Sequence, residues 1–212
     1  MKKIYLLLTN LFVLLHNYSY DKISLLSVKI NNGIHPKHRI INYHKFFVDN
    51  ISSDDIILDL GCGSGNNTYD IAKKAKSVVG IDISQKNIEF AKSKYFRDNL
   101  NFIVGDATKR DFKQRFSKIV LSNVLEHIED RKSFLYDLHE ISDIILVRVP
   151  LINRDWLTIY KKENNFEYRL DKTHYIEYTP DTLKEELNAS GWNVDSKTVQ
   201  FGEVWAVAVK II

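Results

Sequence analysis

A single cysteine, Cys62, stands in the 212-residue sequence, which excludes an internal disulfide framework and any metal site made of cysteines alone. Long apolar runs are also missing, since the run from Ile4 to Leu15 is too short to cross a bilayer as a helix. The chain contains no internal repeat and no low-complexity linker. Apolar residues make up 44% and charged residues 27%, which indicates an ordinary globular protein with its own core.

The charge balance gives little direction about partners. The formal net charge of +3 is mild, so a nucleic-acid partner is not expected, and an anionic substrate would not be repelled. The first residues, MKKIYLLLTNLFVLLH, begin like a secretory signal peptide, but no small-x-small cleavage pattern follows. We therefore expect a cytoplasmic protein whose first helix packs on the domain or on a second subunit. Export and contact with a membrane surface are the alternatives.

Short apolar runs alternate with segments of helical spacing. Five strands are predicted, over residues 56–60, 77–82, 101–107, 118–123 and 143–150. This alternation predicts an α/β domain with a doubly wound parallel sheet. Two further strands follow near the C terminus, and because the connection around Phe201 and Gly202 is short, they must be antiparallel.

Several helices can be placed from the same patterns. A helix from Lys37 to Asn50 is predicted by apolar residues at helical spacing, namely Ile40, Tyr43, Phe47 and Ile51. A second is expected over residues 131–141, with Phe134, Leu135, Leu138 and Ile141 on one face. Ser84 is placed to cap a helix, and Thr179-Pro180 to open the last one.

A glycine-rich turn follows the first predicted strand in 58-LDLGCGSGNNT-68. Gly61, Gly63 and Gly65 allow a sharp turn and a close approach of a ligand to the backbone. In sheets of this kind the ligand binds beyond the carboxyl ends of the strands. The dinucleotide fingerprint G-x-G-x-x-G would need a glycine where Asn66 stands, and no P-loop sequence is present. The spacing therefore favours a ligand with no phosphate to bind at a helix N terminus.

Three aspartates stand at or near the ends of successive predicted strands. Asp82 could accept hydrogen bonds from a ribose diol, Asp106 from an adenine amine, and Asp59 could stabilise a cationic group. Together they describe a positively charged ligand that contains adenosine, and S-adenosylmethionine fits this description. The alternative is that each aspartate caps a helix or a turn.

The order of the motifs ILDLGCGSG, VVGIDIS, FIVGDAT and SNVLEHIED resembles the class I S-adenosylmethionine-dependent methyltransferases. The resemblance runs from about Ile56 to the C terminus. It implies a Rossmann-like seven-stranded sheet with an antiparallel last strand, in a domain over residues 51–212. It also implies that residues 1–50 form a helical extension that closes over the cofactor as a lid.

The resemblance assigns cofactor contacts residue by residue. It places the methionine end at Asp59, Gly61, Gly63 and Gly65, with Cys62 as a small buried residue inside the same turn. It places the ribose at Asp82 and Ile83, the adenine at Asp106 and Ala107, and Asn123 beside the cofactor. If the extension is a lid, Tyr43 and His44 contact the cofactor from above.

Two histidines are the candidate catalytic residues. His127 follows the fourth strand, and His174 precedes the last helix. In similar small-molecule enzymes, histidines at these places lie beside the cofactor and the substrate, and histidine has the pKa of a general base. The alternative for either residue is a helix cap or a core histidine bonded to the backbone.

The sequence gives fewer indications about the molecule that accepts the methyl group. SNVLEH in place of an N-P-P-Y type sequence argues against amino methylation of nucleic-acid bases. Arg148 and Arg154 could pair with a phosphate or carboxylate of the acceptor, with Tyr175 beside them, unless they belong to a solvated charged surface. PLINRDW and EYRLDKTHYIEYT resemble methyltransferases of bacterial surface-polysaccharide biosynthesis. That implies O-methylation of a sugar, phosphoramidate or other glycan precursor.

Other function classes stay open. The chain could bind S-adenosylmethionine without turnover, or methylate a lipid, quinone or protein. A nicotinamide oxidoreductase is disfavoured by the glycine spacing. His35, His38 and His44 lack further ligands for a metal, so we expect no metal site.

Overall fold

Seven strands form one sheet in the computed structural model, which describes residues 1–109, 112 and 114–211. The strands are β1 (Ile56–Leu60), β2 (Ser77–Asp82), β3 (Leu100–Val104), β4 (Lys118–Ser122), β5 (Ile144–Pro150), β6 (Trp192–Gln200) and β7 (Glu203–Lys210). Their spatial order is β3-β2-β1-β4-β5-β7-β6. Strands β1 to β5 are parallel, and β7 pairs antiparallel with both β5 and β6. The predicted doubly wound sheet with an antiparallel last strand is confirmed.

The helices flank this sheet. They are α1 (Lys2–Ile30), α2 (Lys37–Ile41), α3 (Tyr43–Asp49), α4 (Asn66–Ala72), α5 (Gln85–Lys94), α6 (Arg131–Asp137), α7 (Trp156–Glu163) and α8 (Pro180–Ala189). Ser84 caps α5, and Thr179 caps α8 with Pro180 in its first turn, as predicted. The predicted helix over 131–141 is α6 followed by a 3₁₀ turn, and its four apolar residues are buried.

The described residues form two large apolar cores and a smaller cluster of Cys62, Ile88, Ala91 and Phe102. The first joins β4 and β5 to α6, α8 and Trp192, and the second joins β1 to α3, α4 and Trp205. The central strands are buried on both faces, which is why β1 and β4 read as continuous apolar runs rather than alternating ones. Burial of each large apolar side chain stabilises the fold by about 1.5–3 kcal/mol.

The helix predicted from Lys37 to Asn50 is broken at Asn42. This residue takes a left-handed conformation, with φ +54° and ψ +36°, which asparagine tolerates better than most residues. The break turns the chain, so that Tyr43 and Phe47 are buried while Ile40 is 57% exposed. The prediction of one continuous amphipathic helix was therefore wrong.

Helix α1 stands largely apart from the two cores. Its large apolar side chains are exposed, and Val13 is its buried residue. Asn17 links it to the domain, since the Lys161 Nζ atom donates to Asn17 Oδ1 at 2.7 Å. In the described part of the chain, no helix combines the length and apolarity that crossing a bilayer requires.

Candidate active site

The turn after β1 is built from glycines in left-handed conformations. Gly61, Gly63 and Gly65 have φ angles of +70°, +53° and +78°, which glycine adopts without steric strain. A Cβ atom on Gly65 would lie 2.7 Å from the ring of Phe102, whereas one on Gly63 would meet none of the described residues within 4 Å. The turn is therefore packed at one end and open at Gly63.

Asp82, at the end of β2, holds this turn in place. Its Oδ2 atom accepts a hydrogen bond from the Gly63 N–H at 2.8 Å. Its Oδ1 atom accepts from the Ser84 N–H at 2.8 Å and from Asn87 Nδ2 at 3.2 Å. A carboxylate offers about four acceptor positions, so capacity for a ligand hydroxyl remains.

Asp59 lies beneath the glycine turn and is only 1% exposed. The Thr68 hydroxyl donates to its Oδ2 atom at 2.7 Å. Burial raises the pKa of Asp59 to about 7, and the nearby charge of Asp82 adds to the rise. A ligand cation in the cavity above would favour the ionised carboxylate.

Two adjoining cavities open at the carboxyl ends of β1, β2 and β4, and they share Gly61 and Asn123. The smaller, of about 200 Å³, is lined by the glycine turn, Asp59 and the α2–α3 segment. The larger, of about 550 Å³, is lined by the residues predicted for the ribose and the adenine. Those residues are Asp82, Ile83, Asp106 and Ala107. Apart from Gly65 and His44, the sequence-predicted cofactor residues thus line one groove formed by these two adjoining cavities.

Unpaired polar atoms in the smaller cavity indicate what it can hold. Both amide atoms of Asn67 and the Oδ1 atom of Asn123 are buried without a hydrogen-bond partner among the described residues. Buried polar atoms without a partner lower the stability of the fold unless a ligand or water pairs with them. Beside them lie Asp59 and the open backbone at Gly63. This set fits the charged amino-acid end of an adenosyl ligand.

Asp106 has a double role in the structure. Its Oδ1 atom accepts from the backbone N–H and the hydroxyl of Thr108, at 2.9 and 2.7 Å. These two bonds give Asp106 the turn-capping role that the sequence analysis named as the alternative to ligand binding. Its Oδ2 atom lies 3.7 Å from Lys109 Nζ, so one oxygen remains for an adenine amine.

Arg148 does not present a free guanidinium, which corrects its prediction as an anion-binding residue. The residue is 2% exposed, and its guanidinium bonds to both carboxylate oxygens of Glu203, at 2.7 and 2.5 Å. The guanidinium also lies 3.7 Å from the centroid of the Tyr43 ring. Arg148 therefore supports Tyr43, which lines the smaller cavity as expected.

His44 points away from the cavity that Tyr43 lines. Its Nδ1 atom lies 2.6 Å from Asp70 Oδ2, and its Nε2 atom lies 2.8 Å from His38 Nδ1. It does not line either half of the groove. The structure therefore does not place His44 where the cofactor was predicted to meet it, and the residue anchors α3 to α4.

Lys37 was missed by the sequence analysis, although it stands in the HPKHR stretch. Its side chain lines the smaller cavity with His38 and Arg148. Burial and the charge of Arg148 lower the pKa of Lys37. A cation at this place can receive a ligand carboxylate.

The other two residues predicted to bind the acceptor, Arg154 and Tyr175, lie in different environments. Arg154 forms a buried ion pair with Glu177 and donates to the Tyr168 carbonyl at 2.5 Å, so its predicted anion-binding role is also corrected. Tyr175 is 59% exposed and lines a third cavity, of about 350 Å³, together with His127. Tyr175 is thus placed where an acceptor could meet it.

The two histidines predicted to be catalytic lie next to each other in the structure. The ring centroids of His127 and His174 lie 4.6 Å apart in an edge-to-face arrangement. Glu126, which the sequence analysis passed over although it adjoins His127, lies beside them and is 0% exposed. Burial raises the pKa of Glu126 to about 7 and lowers the pKa of His127. His127 lines both the cofactor groove and the third cavity.

We predict that ionisation of Asp59 makes the ligand-free protein less stable as the pH rises from about 4 to about 7. The folded carboxyl keeps its proton up to a pKa of about 7, while the unfolded one loses it near pH 3.9. Stability therefore falls by at most about 1.4 kcal/mol per pH unit in this window. Urea unfolding at pH 5, 6 and 7 should show a shallower fall for Asp59→Asn. Equal slopes would contradict the raised pKa.

Comparison with known proteins agrees with this geometry. Residues 57–142 match the family described as methyltransferase domain. A ubiquinone biosynthesis O-methyltransferase of Sinorhizobium fredii is 29% identical over 155 residues, which cover 68% of this chain and 62% of that protein. Ribosomal RNA small subunit methyltransferase A of Mycoplasma capricolum is 29% identical over 124 residues, covering 54% and 46%. The chain thus spans less than two thirds of the length of these relatives.

Solved structures share the fold. The DhpI–SAH complex superposes with a TM-score of 0.66 at 16% identity, covering 90% of this chain and 94% of that one. Magnesium protoporphyrin IX methyltransferase from Synechocystis PCC 6803 with bound SAH gives a TM-score of 0.60 at 17% identity, covering 92% and 83%. The glycine turn and the aspartates at the strand ends agree with these matches: residues 57–142 match a methyltransferase domain, and the fold is that of these solved structures.

Proposed function

We propose that this protein transfers a methyl group from S-adenosylmethionine to a hydroxyl oxygen of a small, hydroxyl-rich molecule in the cytoplasm. A sugar or other precursor of a bacterial surface polysaccharide is the acceptor class we favour. The observation that carries the proposal is the position of His127, which lines both the groove with Asp82 and the third cavity. A cofactor on one side and an acceptor on the other would meet at this residue.

The groove supports a definite orientation of the cofactor. Asp82 would accept from the ribose hydroxyls, and Asp106 from the adenine amine. Lys37 would receive the carboxylate of the methionine part, and Asp59 would face its ammonium. The cofactor supplies an activated methyl group, so the main task of the protein is in-line positioning, which contributes up to about 7–11 kcal/mol.

The hydrogen bonds of His127 support an assignment of the ring nitrogen that would face the acceptor. The Thr173 hydroxyl donates to Asp171 Oδ1 at 2.8 Å, so it accepts from His127 Nδ1, which lies 2.9 Å away. Nε2 therefore carries the lone pair of the neutral ring. That lone pair can accept the proton of an acceptor hydroxyl, a contribution of about 10²–10⁴-fold in rate.

The walls of the third cavity support a polyhydroxylated acceptor. Side chains with carboxylate and hydroxyl groups line it, namely Thr108, Glu129, Asp130, Ser133, Asp137 and Tyr175. Such groups pair with sugar hydroxyls, whereas a strongly anionic acceptor would be repelled by the carboxylates. We therefore favour a neutral sugar portion over a phosphate or carboxylate at the reacting end.

A quinone or lipid acceptor is the second candidate. It is favoured by the exposed apolar side chains of α1 and by the similarity to ubiquinone biosynthesis O-methyltransferases. Such an acceptor would bind by its apolar part along α1 rather than through hydroxyl groups.

The first test is a thermal-shift titration with S-adenosylhomocysteine, with NADH and methylthioadenosine at matched concentrations. At about 100 times its dissociation constant, S-adenosylhomocysteine should stabilise the protein by about 2.7 kcal/mol. Methylthioadenosine, which lacks the amino-acid part, should bind more weakly because Lys37 and Asp59 lose their partners. Stabilisation by NADH alone would overturn the cofactor assignment.

Methyl transfer is then measured with sugar nucleotides and with a reduced quinone analogue. Transfer to a sugar nucleotide supports the favoured acceptor, and transfer to the quinone alone supports the second candidate. Binding of S-adenosylhomocysteine without transfer to any acceptor would point to a non-catalytic binding module.

A further inference from the structure

Glu126, His127 and His174 form a cluster beside the cofactor groove that has the composition of a metal site. Each side chain offers one ligand atom, and these atoms lie within 4.8 Å of one another. Bonds of about 2.0–2.2 Å to a shared ion require ligand atoms somewhat closer together, which small side-chain rotations can supply. We propose that this cluster binds a divalent transition-metal ion, such as Zn²⁺ or Mn²⁺.

The state of Glu126 is an independent observation in favour of a ligand. The residue is 0% exposed, and neither carboxylate oxygen has a hydrogen-bond partner among the described residues. A carboxyl group that is buried without a partner lowers the stability of the fold. Arg148, whose charge acts on Glu126, is already bonded to Glu203. A cation bound by Glu126 would remove this cost.

Both histidines are oriented by outer partners through Nδ1. His127 Nδ1 lies 2.9 Å from the Thr173 hydroxyl, which is held by Asp171. His174 Nδ1 lies 3.4 Å from Glu177 Oε1. Metal-bound histidines commonly have such a carboxylate or hydroxyl on the nitrogen that does not bind the metal. Each ring is thus left with Nε2 as its available ligand atom.

The donor set limits the choice of ion. Two imidazoles with one carboxylate are ligands of catalytic Zn²⁺ sites and of other first-row divalent ions, whereas Mg²⁺ and Ca²⁺ prefer oxygen ligands. Three protein ligands also leave a coordination position open. His127 borders the third cavity, so an acceptor hydroxyl could take that position.

This role deepens the proposed O-methylation and rests on it. A bound cation would lower the pKa of the acceptor hydroxyl, whose proton would leave to solvent. The oxygen would then form its bond to the methyl carbon as the carbon–sulfur bond breaks, and sulfur would keep the electron pair. Because Nε2 of His127 would bind the ion, Lewis-acid activation would replace general-base catalysis by this residue.

The test uses tag-free protein, stripped with a chelator and dialysed against Zn²⁺, Mn²⁺ or Mg²⁺, followed by metal analysis and thermal shift. We expect one Zn²⁺ or Mn²⁺ ion per chain, and an affinity at least about 100-fold lower in Glu126→Gln and His174→Ala. The matched control is His16→Ala, which removes an exposed histidine of α1 and should bind the ion as the wild type does. Each variant is also titrated with S-adenosylhomocysteine, which shows whether it is folded.

The outcomes separate this inference from the proposed function. Absence of stoichiometric binding to the folded wild-type protein, or equal binding by Glu126→Gln and His174→Ala, would overturn the metal site. Full methyl transfer by the stripped protein would also overturn it while leaving the proposed function intact. Failure to bind S-adenosylhomocysteine would count against the proposed function, whatever the metal analysis shows.

Discussion

The Asp82→Ala variant should bind S-adenosylhomocysteine at least about 100-fold more weakly than the wild type. Hydrogen bonds to a charged group contribute about 1.5–3 kcal/mol each, and each 1.4 kcal/mol is tenfold in affinity. The substitution removes the expected bonds to the ribose hydroxyls. It also removes the carboxylate that accepts from the Gly63 N–H at 2.8 Å, so the glycine turn loses an anchor.

Calorimetric titration measures this effect, with circular dichroism to confirm that the variant is folded. Asp82→Asn keeps the shape of the side chain and should fall between the wild type and the alanine variant. Asp98→Ala, at an exposed aspartate in the loop after α5, is the matched control and should bind normally. An unchanged dissociation constant in Asp82→Ala would remove this residue from the cofactor site.

The second large effect concerns stability. Replacing Glu203 with alanine should lower the free energy of unfolding by about 3–5 kcal/mol, because the guanidinium of Arg148 would stay buried without its partner. Arg148 is 2% exposed, and its bidentate contact with Glu203 joins β5 to β7. The indole N–H of Trp205, which donates to Glu203 at 3.0 Å, would lose its acceptor as well.

Urea unfolding gives the measurement. The double variant Arg148→Met, Glu203→Leu should be more stable than Glu203→Ala, since apolar groups of similar volume can replace a buried ion pair. Asp143→Ala breaks the exposed pair with Arg115, at 2.7 Å, and should cost only about 0–1 kcal/mol. A loss in Glu203→Ala no larger than in Asp143→Ala would show that the buried pair is not needed for stability.

The sheet could be predicted because its signals are local. A run such as IILDL followed by glycines predicts a buried strand and a turn without reference to the rest of the chain. Helix α7 was not predicted, although Asp155 caps it by accepting from the Thr158 N–H at 2.7 Å. The left-handed Asn42 was missed for a similar reason, because tertiary packing of Tyr43 and Phe47 outweighs the helical pattern that includes Ile40.

The site could be predicted only in part. The glycine turn and Asp82 follow from strand ends, which meet at one edge of any parallel sheet. The pairing of Arg148 with Glu203 joins residues 55 positions apart, and no local signal reveals it. The same holds for Lys37, which lines the smaller cavity. A charged residue in a sequence does not show which partner it will meet.

The position of β7 has a consequence for how the protein is made. This strand lies between β5 and β6, although it follows both in the chain. During synthesis β5 therefore leaves the ribosome with one edge open, and β6 emerges before the strand that will attach it to the sheet. The guanidinium of Arg148 also lacks its carboxylate partner at this stage, because that partner, Glu203, is the first residue of β7. Until that strand has emerged, the nascent chain can contain every glycine and aspartate of the cofactor groove and still have an incomplete sheet.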